Sequence, residues 1–161
     1  MDLALGGKEL GLGALGDTLS VLLNAGDGTF NSRADYATTV TSLASLDIDG
    51  DGDTDLAVAT GNQAVQLLKN RGDGTFDPDA ALPLEGRAWQ VVADDLDADG
   101  DADLLVATSL PGQMVVFLNR EGILSPVGAV TGPMGLIATG KLDGDPLPDV
   151  VMTHTRTGCR F

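Results

Sequence analysis

Short apolar runs rich in Val, Leu, Ala and Thr recur along the chain, and stretches rich in Gly and Asp separate them. No segment shows the periodicity of an amphipathic helix, whereas short apolar runs bounded by turn residues are typical of β-strands. We therefore expect an all-β fold. The pattern predicts strands at residues 40–46, 55–60, 64–69, 89–94, 103–108, 113–119, 135–141 and 149–153.

The apolar runs belong to a repeat, in which Asp49, Asp97 and Asp143 mark equivalent positions about 48 residues apart. In each copy an acidic stretch leads into an apolar strand, as in DLAVAT from Asp55. A later strand leads into a Gly-containing turn, as in LLKNRGDGTF from Leu67. Four short strands per period, joined by tight turns, are typical of a β-propeller blade. We predict one repeat domain, residues 1–161, with about three blade-equivalents: a partial first blade (1–38), two whole blades (39–88 and 89–132) and a truncated fourth (133–161).

Two acidic stretches have the most distinctive chemistry, DIDGDGDTD from Asp47 and DLDADGDAD from Asp95. Carboxylates at positions 1, 3, 5 and 9 can converge, and the glycine at position 6 lets the chain curl and offer the carbonyl of position 7. Oxygen ligands in this number suit Ca²⁺ better than Zn²⁺, which prefers His or Cys, or Mg²⁺, which keeps its waters. The predicted calcium-binding residues are Asp47, Asp49, Asp51, Asp53 and Asp55 in the first loop and Asp95, Asp97, Asp99, Asp101 and Asp103 in the second, with Asp53 and Asp101 contributing carbonyls.

An EF-hand also begins D-x-D-x-D-G, but it requires an acid at position 12, where this chain has Val58 and Val106, and it requires flanking helices. A solvated acidic turn that binds nothing is the remaining alternative for each loop. The third copy departs from the pattern, because Lys141 replaces the first acid and Pro146 replaces the glycine. Its remaining acids form a third candidate set, Asp143, Asp145 and Asp149.

The formal net charge of −15 comes from 24 acidic and nine basic side chains, and ten of the acids lie in the two stretches. Such a charge repels nucleic acid and anionic membranes, so we expect neither as a partner. No segment is typical of a secretory signal or a membrane helix, which predicts a soluble chain from which any export signal is absent. Cys159 is the only cysteine, which excludes an internal disulfide. A seven-residue insertion within residues 6–16 predicts an enlarged hairpin loop.

The alternation of DxDxDGxxD entering DLAVA with NxGDGTF resembles the FG-GAP or VCBS repeat of integrin-α-like β-propellers, over nearly the whole chain. The resemblance implies Ca²⁺ held by the carboxylates at positions 1, 3, 5 and 9 and the carbonyl at position 7. It also implies an extracellular or secreted module for adhesion or for recognition of a protein or carbohydrate, with no catalytic activity. The alternatives are a self-assembling, calcium-stabilised scaffold and an accessory fragment of a secreted enzyme.

The number of blade-equivalents raises the question of how the propeller closes, because propellers have about 4 to 8 blades. The chain could be a fragment of a longer propeller, or chains could assemble. We expect assembly, since unpaired edge strands favour pairing, and a dimer would supply about six blades.

Several other residues have side chains that could carry a function. Arg71 to Asp73 reads RGD, but Asp27 has the same register in another copy, so the Gly-Asp pair is interpreted as part of a turn. His154 is the only histidine, which argues against a His-dependent catalytic triad. The aromatic and basic residues that could stack on a sugar are Tyr36, Arg87 and Trp89, of which Trp89 is predicted to pack between blades.

Overall fold

The computed structural model describes residues 3–7, 18–132 and 134–154, which form thirteen strands and, within those ranges, no helix. The strands are β1 (Leu3–Gly7), β2 (Thr18–Asn24), β3 (Phe30–Ala37), β4 (Ser42–Leu46), β5 (Asp55–Ala59), β6 (Ala64–Asn70), β7 (Phe76–Pro83), β8 (Arg87–Asp94), β9 (Asp103–Ser109), β10 (Gln113–Arg120), β11 (Ile123–Thr131), β12 (Met134–Gly140) and β13 (Asp149–His154). The all-β prediction is confirmed, and each predicted strand is present with both ends within two residues of the prediction.

Some predictions concern parts of the chain that the structure leaves undescribed. Most of the insertion predicted within residues 6–16 lies outside the described residues, and so does the tail that carries Cys159. In the described ranges, no helix has the length and apolar character needed to cross a membrane.

The strands form four antiparallel sheets, two of which have four strands in the order of the sequence, β4 to β7 and β8 to β11. The described residues also form a three-stranded sheet, β1 to β3, and a two-stranded sheet, β12 and β13. In three sheets the first hairpin is closed by an acidic loop. The strand partners flanking these loops are Leu46 and Asp55, Asp94 and Asp103, and Gly140 and Asp149.

The second strand of each four-stranded sheet is buried on both faces, which explains its continuous apolar sequence. In β5, Leu56 and Val58 belong to a core cluster with β2, whereas Ala57 and Ala59 belong to a cluster shared with the next sheet. The two faces of β9 likewise contribute to two clusters. By contrast, the fourth strands β7 and β11 are mostly exposed. The sheets therefore stack in sequence order, with β5 and β9 in the interior.

Polar contacts between first strands also join neighbouring sheets. The side-chain amide of Gln90 on β8 donates to the carbonyl of Ile137 on β12 and accepts from its N–H, both at 2.8 Å. The hydroxyl of Ser42 on β4 accepts from the N–H of Val91 on β8 at 3.3 Å. The first strands of successive sheets thus lie side by side, which is the arrangement of successive propeller blades.

The two aromatic residues that sequence analysis considered for sugar stacking pack between sheets. Trp89 contacts the core cluster that joins the third and fourth sheets, which confirms its predicted packing role. Tyr36 on β3 contacts Phe76 on β7 edge to face, with ring centroids 6.1 Å apart. Its hydroxyl accepts a hydrogen bond from the N–H of Phe76 at 2.8 Å. Tyr36 therefore connects the first sheet to the second.

Candidate metal centre

The first acidic loop follows β4 and curls back through two glycines with positive φ, Gly50 at 75° and Gly52 at 91°. Residues other than glycine rarely adopt a positive φ, so the glycines in the sequence of the loop determine the path of its backbone. The carboxylate of Asp47 closes the curl, because its two oxygens accept hydrogen bonds from the N–H groups of Gly50 and Gly52 at 2.8 and 2.9 Å. In the curled loop the carboxylates of Asp49 and Asp55 lie near that of Asp47.

The second loop follows a similar path and differs from the first in residue type at positions 2, 4 and 8. Gly100 has a φ of 99°, as expected for position 6, and its N–H donates to Oδ2 of Asp95 at 3.2 Å. Position 4, which is Gly50 in the first loop, is Ala98 in the second, with a φ of 60°. An alanine in this region carries a backbone strain of about 1 kcal/mol or more. The loop conformation is therefore maintained at an energetic cost.

Three carboxylates converge in each loop. Oxygens of Asp47, Asp49 and Asp55 lie within 4.8 Å of one another in the first loop, and oxygens of Asp95, Asp97 and Asp99 do so in the second. Calcium lies about 2.3 to 2.6 Å from its oxygen ligands, so ligands on opposite sides of one ion are about 5 Å apart. Both groups therefore fit a single calcium ion.

Three more of the predicted ligands also accept backbone hydrogen bonds, and one of them, Asp99, belongs to the second group. Asp51 and Asp99 hold the turn that follows them, because Oδ1 of each accepts the N–H of position 7 at 2.8 and 2.9 Å. In the second loop, Oδ2 of Asp101 accepts the N–H of Glu121 at 3.4 Å. The ligand roles of all ten residues stay predictions, and four of the ten lie outside the two converging groups, namely Asp51, Asp53, Asp101 and Asp103.

One oxygen in the second loop has an unusual environment. Oδ1 of Asp95 is buried and accepts no hydrogen bond from the part of the chain that the structure describes. A buried acceptor without a partner is unfavourable by about 1 to 3 kcal/mol, and by more when it is charged. The oxygen belongs to the residue that begins the second carboxylate group, so a bound cation would satisfy it. The donor chemistry and the unpaired oxygen together fit Ca²⁺.

Position 9 of each loop is a buried carboxylate, with Asp55 2% exposed and Asp103 fully buried. Asp55 accepts the N–H of Ile48 at 2.9 Å and that of Asn70 at 2.7 Å. Asp103 accepts two equivalent backbone bonds at 2.8 Å each. Burial raises the pKa of both carboxyl groups above 3.8, and the negative charges at positions 3 and 5 raise it further, although the backbone bonds oppose the shift. These acids anchor the loop to the sheet.

A basic side chain approaches position 3 of each loop. Nζ of Lys69 on β6 lies 3.2 Å from Oδ2 of Asp49, and Nη2 of Arg120 on β10 lies 3.4 Å from Oδ2 of Asp97. The two bases occupy different positions of the repeat, because Lys69 precedes Asn70 whereas Arg120 follows the equivalent Asn119. Each loop thus has a local counter-charge from a neighbouring strand.

The third acidic loop keeps the structural anchor but not the convergence. The N–H of Leu142 donates to Asp149 at 2.8 Å, which matches the anchor of the other loops. Within the described residues, its acids do not form a group of three like those above. Pro146 has a fixed negative φ and occupies position 6, where the other loops have a positive φ, so this loop cannot follow the same path. Ion binding by Asp143, Asp145 and Asp149 stays a prediction.

The comparison with protein-family models matches residues 47–106 and 95–152 to the FG-GAP-like repeat. The chain belongs to the FG-GAP-like repeat family. The first match begins at the first residue of the first acidic loop, and the two matches overlap in the second, so each contains at least one complete loop. A comparison with curated proteins found no match to the chain.

The FG-GAP-like repeat also contains a turn that sequence analysis considered as an RGD motif. Asp73 accepts hydrogen bonds from the N–H and hydroxyl of Thr75 at 2.9 and 2.6 Å, and these bonds lower its pKa. Asp27 makes the same two bonds with Thr29, at 2.9 and 2.6 Å. Arg71 forms an ion pair with a carboxylate of β7. The repeated geometry supports the interpretation that Gly-Asp is part of the turn.

Two asparagines of the FG-GAP-like repeat were missed as site residues. Asn70 is the last residue of β6 and Asn119 the second-last of β10, and their N–H groups donate to the position 9 acids, Asp55 and Asp103. The sequence did contain a signal, since both asparagines recur at the junction of a strand and its Gly-containing turn. This recurrence predicted a turn. It gave no indication that each asparagine contacts an acidic loop about 15 positions earlier in the chain.

Proposed function

We propose that the two complete acidic loops each bind one Ca²⁺ ion, and that the ions stabilise the sheets of a non-catalytic, extracellular binding module. The convergence of three carboxylates in each loop carries the proposal. The unpaired buried oxygen of Asp95 supports it, because the surrounding protein offers that oxygen no hydrogen bond in the described residues. The high local charge supports it too, since five acids within nine residues repel one another until a cation is bound.

The residues that would hold the ion are those of the two complete loops. Bound Ca²⁺ would supply positive charge that neutralises the carboxylates and fixes the turn between the first and second strands. The residues of the chain themselves curl the loops, because positive φ angles bend the backbone of each loop and the buried acid at position 9 anchors each loop to its sheet. We expect the weak affinity of extracellular calcium modules, with Kd on the order of 10⁻⁴ to 10⁻³ M.

The family and the surface charge of the module support a role in recognition. Membership of the FG-GAP-like repeat family supports a recognition module of the propeller type. A scaffold stiffened by calcium can present variable turns to a protein or carbohydrate partner, and the net charge of −15 disfavours nucleic acid as that partner. The proposal assigns no catalytic activity to the chain.

The proposal is tested by thermal unfolding in 10 mM CaCl₂ and in excess chelator. At a calcium concentration of 100 times Kd, one site adds about 2.7 kcal/mol to the free energy of unfolding. We expect a clear rise in Tm with calcium, a smaller rise in Asp47→Asn and in Asp95→Asn, and none when both changes are combined. Asp143→Asn is the matched control, because it makes the same change in the loop whose acids do not converge. Equal Tm values in calcium and chelator would refute calcium binding.

Self-association is a second candidate, favoured by the two-stranded sheet of β12 and β13. In the described part of the chain this sheet has two strands, and Leu136 and Val151 are 63% and 48% exposed on it. We propose that a second copy of the chain covers this sheet, with a dimer as the expected assembly. Exposed strands with apolar side chains favour such pairing. Light scattering in calcium tests it, and a mass of one chain at all concentrations would exclude it.

A further inference from the structure

The two acidic loops are connected through one buried side chain, that of Asn119. This residue is 1% exposed and lies near the end of β10, in the same sheet as the second loop. Its N–H donates to Oδ1 of Asp103, in the second loop, at 2.8 Å. Its Nδ2 donates to the carbonyl oxygen of Ile48, in the first loop, at 2.9 Å. Asn119 therefore contacts both loops.

The connection continues into the anchor of the first loop. The N–H of Ile48 donates to Oδ2 of Asp55 at 2.9 Å, so hydrogen bonds run from Asp103 through Asn119 and Ile48 to Asp55. Every residue of this path is at most 2% exposed. Hydrogen bonds in such an environment are stronger than in water, and an unpaired group is correspondingly unfavourable. A displacement of Asp103 is therefore passed along these hydrogen bonds to Asp55, because water does not replace any of the bonds.

The turn between β10 and β11 adds a steric contact to this connection. A Cβ placed on Gly122 would lie 3.4 Å from Cα of Asp49, so the turn lies directly against the backbone of the first loop. The N–H of Gly122 donates to Oδ1 of Asn119 at 3.1 Å, which fixes the turn to the same side chain. One asparagine thus positions both the hydrogen bond and the turn that meet the first loop.

Asn70 occupies the equivalent position of the preceding repeat and provides a natural comparison. Its N–H donates to Oδ1 of Asp55, just as that of Asn119 donates to Asp103. Its Nδ2, however, donates to the carbonyl oxygen of Thr54 at 3.0 Å, within its own sheet. Of these two asparagines, therefore, Asn119 is the one whose Nδ2 donates a hydrogen bond to a neighbouring sheet.

We propose that calcium binding at the two loops is positively coupled through the Asn119 side chain, so that an ion in one loop raises the affinity of the other. The coupling rests on the proposed function. An ion that orders the second loop fixes Asp103 and hence Asn119, which holds Ile48 and Asp55 where the first loop needs them. Because coupling between sites is reciprocal, an ion in the first loop has the same effect on the second.

The test compares the calcium affinity of the first loop in two proteins. The second loop is intact in one of them and cannot bind calcium in the other. The amide resonance of Gly52 reports the first loop during a CaCl₂ titration. Asp95→Asn with Asp97→Asn disables the second loop and leaves Asp103 and Asn119 unchanged. We expect this change to weaken the first loop at least about 5-fold, which is the lower end of typical coupling. An unchanged affinity would overturn the coupling, and this comparison requires no change at Asn119.

The role of the side chain is tested by repeating the comparison in Asn119→Leu and in Asn70→Leu. Leucine has a similar size and keeps the backbone N–H, so each change removes one side-chain amide. We expect the 5-fold effect to fall below 2-fold in Asn119→Leu and to persist in Asn70→Leu. Persistence in both would show that Asn119 does not carry the coupling. If the Gly52 resonance of the unchanged protein does not shift with calcium, the proposed function fails and the coupling fails with it. If the resonance shifts but the affinity does not depend on the second loop, the proposed function stands and the coupling alone fails.

Discussion

Nζ of Lys69 lies 3.2 Å from Oδ2 of Asp49, and it lies 3.5 Å from Oδ2 of Asp79 on β7. The ammonium group thus lies between a carboxylate of the first acidic loop and one outside it. Its pKa is raised, chiefly by the hydrogen bond to Asp49. A calcium ion in the first loop would compete with Lys69 for Asp49, while Asp79 offers the displaced ammonium group another partner.

Lys69→Met should therefore increase the affinity of the first loop for calcium. An exposed ion pair is worth about 0.2 to 1 kcal/mol, which corresponds to an increase of about 1.5- to 5-fold. Asp79→Asn should have the opposite effect, because Lys69 then has Asp49 as its remaining carboxylate partner. Calcium titration followed at the Gly52 amide measures both. Weaker binding in Lys69→Met would show that Lys69 supports the site.

Ala98→Gly should stabilise the second loop. The φ of 60° at Ala98 is unfavourable for alanine and favourable for glycine, and the gain exceeds the entropy that glycine adds to the unfolded chain. We expect about 0.5 to 1 kcal/mol in urea unfolding in excess chelator. Gly50→Ala is the reciprocal change, and it should destabilise the protein by about 1 kcal/mol. Space is available for its Cβ, since no heavy atom lies within 4 Å, so the effect comes from the backbone alone. Equal stabilities would contradict this explanation.

The stabilisation provided by calcium should increase with pH. The raised pKa of Asp55 and Asp103 means that the folded, calcium-free protein binds protons more tightly than the unfolded chain does. Their contribution to stability is therefore greatest below pH 3.8 and is lost as the pH rises through the folded-state pKa values. Calcium requires the ionised carboxylates and gains from the same change. The difference in Tm between calcium and chelator, measured from pH 4 to 7, should grow. A constant difference would show that protons and calcium do not compete.

Gln90→Leu should loosen the sheet of β12 and β13. The change removes the amide that pairs with both backbone groups of Ile137, which is 3% exposed. Two buried groups without partners cost about 2 kcal/mol or more in the free energy of unfolding. Hydrogen exchange at the Ile137 amide should accelerate by about tenfold or more, while that of Val58 on β5 changes less. Similar acceleration at both amides would indicate global destabilisation.

Strand positions and the clustering of carboxylates in the acidic loops were predictable because both depend on short stretches of sequence. Gly and Asp bound each apolar run, and the spacing of the acids in DIDGDGDTD places them on one curled segment. The positive φ at position 6 was also predictable. The positive φ of Ala98 was not, because alanine gives no sign of that conformation.

The remaining features depend on how sheets pack, which no local pattern encodes. Asn119 and Ile48 are 71 positions apart, and their hydrogen bond exists only because the third sheet stacks on the second. Lys69 meets Asp49 within one sheet, because β6 pairs with β5 and therefore lies beside the loop between β4 and β5. Burial of Asp103 follows from the packing of β9 between two clusters. Its raised pKa could therefore not be inferred from the acidic stretch alone.

The burial of β5 and β9 on both faces has a consequence for redesign. Because these strands supply much of the interior, the fourth strands β7 and β11 are the parts of each repeat with the fewest steric requirements. Most side chains there are exposed, so new recognition sequences can be grafted onto them while the hairpins that carry the acidic loops stay intact. In each repeat, therefore, the residues that maintain the fold are separate from the exposed fourth strand, where substitutions are tolerated.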